Sequence, residues 1–136
     1  MSQSSQSDAQ AVATLLASLP NPVKLVFFTQ SIGCEMCLPA RQVLDEIVAL
    51  GDAGGAREAK ERAAACGVDR APAIALETDH DTRIRFLGAP LGYEAASLVD
   101  AIRLASHGDS ELSAESRALL ARVTEPVRLY VFTTPT

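Results

Sequence analysis

The sequence predicts an α/β fold in which a mixed sheet is flanked by helices. Three observations predict it. Short strand-like runs, at 25–28 (Val and Phe), 73–76 (apolar) and 83–87 (alternating), are separated by stretches whose apolar residues recur at three- and four-residue steps. The 136 residues suffice for one domain with a real core and are too few for two. The first strand-like run also leads, through Gly33, straight into a helical stretch opened by Cys34 and Cys37.

Residues 1–8 are Ser- and Gln-rich and are expected to form a disordered tail. Asp8 is placed to cap a helix reaching about Leu19, with Val12, Leu15, Leu16 and Leu19 on one face. Pro20 and Pro22 end it ahead of the first strand. The next helix carries Cys37, Ala40, Leu44, Ile47 and Val48 as a buried stripe and is stopped by Gly51. Pro39 falls near its first turn, where a missing N–H costs least. Residues 51–55 read as a turn and the Ala-rich 56–66 as a helix, with Glu58 and Arg62 as an i,i+4 pair and Gly67 as its stop. No strand candidate lies between these two helices. Residues 73–76 and 83–87 then form an antiparallel hairpin across a polar turn. A helix over 93–106 has Ala95, Leu98, Val99, Ile102 and Ala105 on one face and closes at Gly108. A linker helix runs from a Ser113 cap to about Val123, Pro126 breaks it, and 127–132 read as one more strand.

Composition excludes several functions. The net charge of −5 comes with no basic patch, which argues against nucleic acid as a partner. No apolar run approaches the roughly 20 residues of a membrane span, and the start lacks the basic and apolar regions of a secretory signal. The chain reads as cytoplasmic. Three cysteines are too few for a disulfide scaffold or a four-thiolate zinc site. His80 falls in the hairpin turn and His107 at a helix end, so no metal site is expected. Cys66 reads as a small packed hydrophobe. No phosphate-binding glycine loop or hydroxyl triad is present, and no cofactor is expected.

The chemistry therefore rests on Cys34 and Cys37. Cys37 lies on the buried stripe and Cys34 does not, which places Cys34 exposed at the helix start and Cys37 one turn in. A thiol acts as a nucleophile only as thiolate, and a helix N-terminus stabilises that charge. The exposed sulfur attacks a disulfide and the buried one resolves the mixed disulfide. Glu35 and Met36, between the two, are candidate tuning residues. A carboxylate at Glu35 disfavours the Cys34 thiolate and opposes the helix terminus. Arg41 reads as solvated.

A C-x-x-C beside a strand–helix unit in such a chain is a thioredoxin-like motif. Strand, C-x-x-C helix, helix, Gly67-Val68-Asp69-Arg70-Ala71-Pro72, hairpin and closing helix follow the order of a thioredoxin fold. Over residues 8–136 the chain resembles the N-terminal unit of the two-unit, glutaredoxin-like protein disulfide oxidoreductases. It is similar in plan to the N-terminal domain of the F component of alkyl hydroperoxide reductase. Its most specific pieces, besides Cys34-Glu35-Met36-Cys37 and the 67–72 run, are Arg83-Ile84-Arg85-Phe86-Leu87-Gly88 and Gly92-Tyr93-Glu94. The resemblance implies that Cys34 is the nucleophile and Cys37 the resolving thiol. It also implies that Pro72 is a cis-proline facing the dithiol, leaving the Ala71 backbone to pair with an extended substrate.

The chain departs from that family twice. Family members place a strand between the first two core helices, and none is legible here, so the first strand is expected to have an open edge. Residues 127–136 resemble the opening strand of a second unit, and the chain stops before another C-x-x-C. The expected organisation is a tail at 1–8, a thioredoxin-like domain at 9–108, a linker helix at 109–126 and a terminal strand at 127–136. That strand is expected to fill the open edge, within the chain or across a homodimer. The expected function is thiol–disulfide exchange with protein disulfides or dithiols, by a dithiol that a thioredoxin-reductase-like partner would recharge. The alternatives are an electron relay to a peroxide-reducing partner, a Cu(I) module using both thiolates, and a folded but redox-inactive domain.

Overall fold

Four consecutive buried side chains, Leu25 to Phe28, suit only a strand covered on both faces, and they form the centre of the sheet. The computed structural model describes residues 3–51, 56–58 and 63–132. In chain order the elements are α1 (Gln3–Ala17), β1 (Lys24–Phe28), α2 (Cys37–Leu50), β2 (Ala56–Glu58), β3 (Ala73–Glu77), β4 (Asp81–Leu87), α3 (Tyr93–His107) and α4 (Ala114–Leu120). The strand order is β2-β1-β3-β4, with β2 parallel to β1 and the other pairs antiparallel. This is the expected mixed sheet.

The pleat of β1 divides the core in two. Leu25 and Phe27 join Ile74, Leu76 and the stripes of the helices on one face: Leu16 of α1, Ala40, Leu44 and Ile47 of α2, and Leu98 and Ile102 of α3. Val26 and Phe28 face the other way, onto Cys66, Val68, Ala73 and Ala75. Cys66 is thus the packed hydrophobe its setting predicts. Asn21 and the fully buried Ser106 fasten the approach of β1 to the end of α3. The Asn21 N–H donates to Ser106 Oγ (3.0 Å), Ser106 Oγ donates to the Asn21 carbonyl (2.6 Å), and Asn21 Nδ2 donates to the Ser106 carbonyl (2.8 Å).

Four expectations are corrected. Residues 3–8 are the start of α1 rather than a disordered tail, because no Gly or Pro interrupts residues 3–17 and the helix extends through Gln and Ser to Asp8 and beyond. The strand expected to be missing is present as β2, pairing Leu25 with Ala56, Val26 with Arg57 and Phe27 with Glu58. Its Ala–Arg–Glu composition favours a helix, and pairing with β1 overrides that preference. Of the helix expected over 56–66, residues 59–62 lie outside the described residues and 63–67 form a turn. That turn closes through Val68 N–H to the Ala63 carbonyl (2.8 Å), with Gly67 at φ +66. The edge beside β1 is therefore occupied. Residues 127–132 are exposed and form no strand, since strand-like composition without a partner makes no ladder.

Gly51 does end α2, for a different reason than expected. Its φ of −133° is ordinary extended backbone rather than a left-handed cap. A Cβ there would stand 2.6 Å from Leu16 Cβ, so the glycine is what lets α1 close over the end of α2. Gly51→Ala is accordingly expected to destabilise the fold by about 1–3 kcal/mol through overpacking, read as a lower urea midpoint at unchanged slope.

On the outer face, Arg85 ties the 63–67 turn to the hairpin. Its Nε donates to the Cys66 carbonyl (2.9 Å), and its two terminal nitrogens donate to the Asp81 carboxylate (2.9 and 2.5 Å). The Arg85 hydrogen bonds first, and the Arg83 N–H next, hold the Asp81 carboxyl down at about 2. A depressed folded value contributes stability above the unfolded carboxyl range, near pH 3.9, and loses it as pH falls through about 2. Asp81→Asn is therefore expected to lower the urea midpoint at pH 6, with the difference from the parent vanishing toward pH 2.

Register also positions the site. Phe28 pairs with Ala73, and Ala73 with Leu87. The segments leaving β1 (29–36), entering β3 (69–72) and leaving β4 (88–92) therefore gather at one end of the sheet. The hairpin turn with Asp79 and His80 lies at the other.

Candidate active site

Cys34 and Cys37 meet at this end as a disulfide, with their Cα atoms 5.4 Å apart. Gly33, at φ +72, turns the chain into the pair. Glu35 and Met36 then form a turn in which the Cys37 N–H donates to the Cys34 carbonyl (3.3 Å). Cys37 is the first residue of α2, not a residue one turn in, and Met36 takes the cap position without a side-chain cap. Cys34 sits just ahead of the helix and is half-buried rather than exposed. The asymmetry itself holds, because Cys37 is buried and Cys34 is the more accessible. The N-terminal end of α2 carries the partial positive charge that favours a thiolate beside it. Pro39 is the third helical residue, within the first turn.

The Ala71–Pro72 bond is cis. Pro72 is buried and its carbonyl accepts from the Gly88 N–H (2.9 Å), which ties the entry to β3 to the exit from β4. Ala71 is half-buried and lies before the first registered pair of β3, at Ala73. The structure thus brings Cys34, Cys37, Ala71 and Pro72 to one end of the sheet. Glu35 and Met36 are exposed there. Arg41 is engaged by Asp45 (3.0 Å), one turn further along α2.

Two features of this end were not foreseen. The first is a cleft of about 240 Å³ between the exit of β1 and the entry to β3, lined by Thr29, Gln30, Val68, Asp69, Arg70 and Ala71 among others. Asp69 and Arg70 pair across its rim (2.8 Å), and the Arg70 guanidinium holds the Asp69 carboxyl below its ordinary value. The second is an apolar border. Ile32 is 89% exposed, and Leu38, Met36, Leu91 and Tyr93 are also exposed. A signal existed for two of them: Ile32 lies between Ser31 and Gly33 outside any periodic stripe, and Leu38 is off the 37-40-44-47 stripe of α2.

Among the described residues, no group of three or more His, Cys, Asp or Glu side chains gathers as a metal site would require. No helix among them is long and apolar enough to cross a membrane.

Arrangement and topology together define a thioredoxin-like fold carrying a C-x-x-C pair at disulfide distance. Solved structures agree on that fold. The NTD_N/C domain of the alkylhydroperoxide reductase AhpF of Enterococcus faecalis superposes with a TM-score of 0.74 at 24% identity, covering 85% of this chain and 59% of that one. A mutant form of AhpF from the same organism gives 0.72 at 24%, covering 83% and 57%. A protein disulfide oxidoreductase from Aeropyrum pernix K1 gives 0.69 at 20%, covering 89% and 54%. The chain thus spans little more than half the length of each. No protein-family profile and no curated protein matches the sequence.

Proposed function

We propose that the protein is a thiol–disulfide oxidoreductase acting on protein disulfides. The observation that carries this reading is the unequal accessibility of two paired sulfurs at a helix start, Cys34 half-buried and Cys37 buried. Reduced Cys34, as thiolate, attacks one sulfur of a substrate disulfide, forming a mixed disulfide and expelling the other substrate sulfur as thiolate. Cys37, once deprotonated, attacks Cys34 Sγ, closes the Cys34–Cys37 bond and releases the second substrate thiolate. Two electrons pass from the dithiol to the substrate.

Ala71 and Pro72 fit the role of substrate cradle, the Ala71 backbone lying outside the ladder at the edge of the cleft. The apolar border of Ile32, Met36, Leu38, Leu91 and Tyr93 suits a protein surface better than a small charged thiol. The test is catalysed reduction of insulin by dithiothreitol. The parent should accelerate precipitation of the B chain, and Cys34→Ser should not. Equal rates with and without the protein would overturn the reading.

Glu35 has a measurable part in it. Glu35→Gln removes a carboxylate next to Cys34 and is expected to shift the pH at which Cys34 alkylates half-maximally downward. The variant should also be the less reducing of the two. An unmoved alkylation profile would remove Glu35 from the account.

A second reading is favoured by the likeness to AhpF structures. Here the same dithiol relays electrons to a peroxide-reducing partner. Such a relay would show faster oxidation of the reduced protein by a peroxide-reducing protein than by insulin.

A further inference from the structure

The cleft at the dithiol end has a chemistry that the exchange reaction leaves unused. Its volume, about 240 Å³, falls short of the roughly 300–1,000 Å³ of sites that enclose a whole small molecule. It suits one part of a ligand whose remainder lies outside. The walls are apolar. Phe28 and Val68 are buried members of the outer-face cluster, and Ala63 packs against them. The rim is polar, but its charge is spent. Arg70, the one cation among the described lining residues, donates from Nε (2.8 Å) and Nη2 (3.2 Å) to the Asp69 carboxylate. An anionic ligand therefore meets no unpaired cation among them.

Register and pleat say what reaches this cleft. Phe28 and Ala73 are the last registered pair of β1 and β3, and the chains beyond them part around it. Ala73 and Ala75 turn to the outer face with Phe28, whereas Ile74 turns inward to the helices. α2, which starts at Cys37, covers the inner face, while the cleft is walled by outer-face residues. Ala71 lines the cleft and lies outside the ladder. A substrate strand laid against Ala71 alternates in the same way, because successive side chains of extended chain point to opposite faces. When its cysteine points to the dithiol, the residue beside that cysteine points to the cleft.

We infer that the cleft is a specificity pocket for the side chain next to the reacting cysteine, and that the preferred protein disulfides carry Leu or Ile there. The inference rests on the oxidoreductase reading above and narrows its substrate class. An apolar side chain leaves water for contact with Phe28 and Val68. A carboxylate in the same place loses its water and gains no cation. Ala63 and Val68 set the depth of the pocket, and so the size of side chain it takes.

The test uses the reduced full chain, freed of reductant, and disulfide-linked dimers of a short Gly- and Ser-based peptide. The residue before or after the peptide cysteine is Leu, Ala or Asp. Each exchange passes two electrons from Cys34 and Cys37 to the peptide disulfide and releases two peptide thiols. Closure of the Cys34–Cys37 bond is followed by acid quench, alkylation and mass mapping. On one flank of the cysteine, Leu should react about tenfold faster than Ala, and Asp more slowly than Ala. Ala63→Leu, which fills the cleft, should bring the Leu-to-Ala ratio down at least about threefold. Val68→Ala, which deepens it, should move the preference from Leu toward Phe. A merely structural role for these residues would slow all peptides alike and leave the ratios fixed. Rates indifferent to the flanking residue, or ratios that neither variant moves, overturn the pocket. If no peptide closes the bond, the oxidoreductase reading itself fails, and the pocket with it.

Discussion

Cys37→Ser is expected to arrest the protein on its substrate. With the resolving thiol gone, the mixed disulfide formed by Cys34 cannot be released from within and accumulates as a covalent adduct, visible by mass spectrometry and removed by excess dithiothreitol. Cys34→Ser should form no adduct at all. Cys34→Ser should lose catalysed insulin reduction, and Cys37→Ser should keep only the turnover that dithiothreitol restores by clearing the adduct. The asymmetry between the variants carries the prediction. Cys34 is the more accessible and Cys37 opens the buried stripe of α2, so only one order of attack suits the geometry. An adduct on Cys37 in Cys34→Ser, with none on Cys34 in Cys37→Ser, would reverse the roles.

Phe27→Ala should have the largest effect on stability. Among the described residues Phe27 is the largest fully buried side chain, on a central strand and in one core cluster with Leu44, Ile74 and Leu98. Its truncation removes buried apolar surface and leaves a cavity that three helices and a sheet cannot close, a loss of about 3–5 kcal/mol. Against a total of about 5–15 kcal/mol for a domain of this kind, this lowers the melting temperature by roughly 10 °C or more. Phe27 also lies two residues before the loop that carries the dithiol, so the loss should show as faster proteolysis within 29–36. Ile32→Ala, at an exposed position in that loop, should stay within about 0.5 kcal/mol of the parent. Equal effects of the two would mean that Phe27 does not anchor the core as described.

Local pattern carried much of this structure. The stripe of α2 is buried at Cys37, Ala40, Leu44 and Ile47, four of the five residues its periodicity picks out. The hairpin, the α3 stop at Gly108 and the Ser113 cap of α4 follow from turn and cap chemistry that acts over a few residues. The cis Ala71–Pro72 bond was legible only through resemblance, because no local feature distinguishes it from an ordinary trans bond.

What was not legible depends on partners distant in sequence. β2 is a strand because β1 lies beside it, and its three residues hold no sign of that. Gly51 looks like a helix stop, while its real constraint is Leu16, thirty-five residues earlier. Residues 127–132 show the converse: a strand-like composition that meets no strand among the described residues of its own chain. At the site, the helix beginning at Cys37 rather than ahead of Cys34 was decided by the Glu35–Met36 turn, a difference of one turn that periodicity does not resolve.

The most direct test of the central claim is a redox titration in graded dithiothreitol buffers, with acid quench, alkylation and mass mapping of Cys34, Cys37 and Cys66. The account predicts one reversible midpoint belonging to a Cys34–Cys37 bond, first alkylation at Cys34 in the reduced protein, and a Cys66 that stays a free, slowly reacting thiol throughout. A Cys34–Cys37 bond that fails to form and break reversibly, or that exchanges with Cys66, would contradict it.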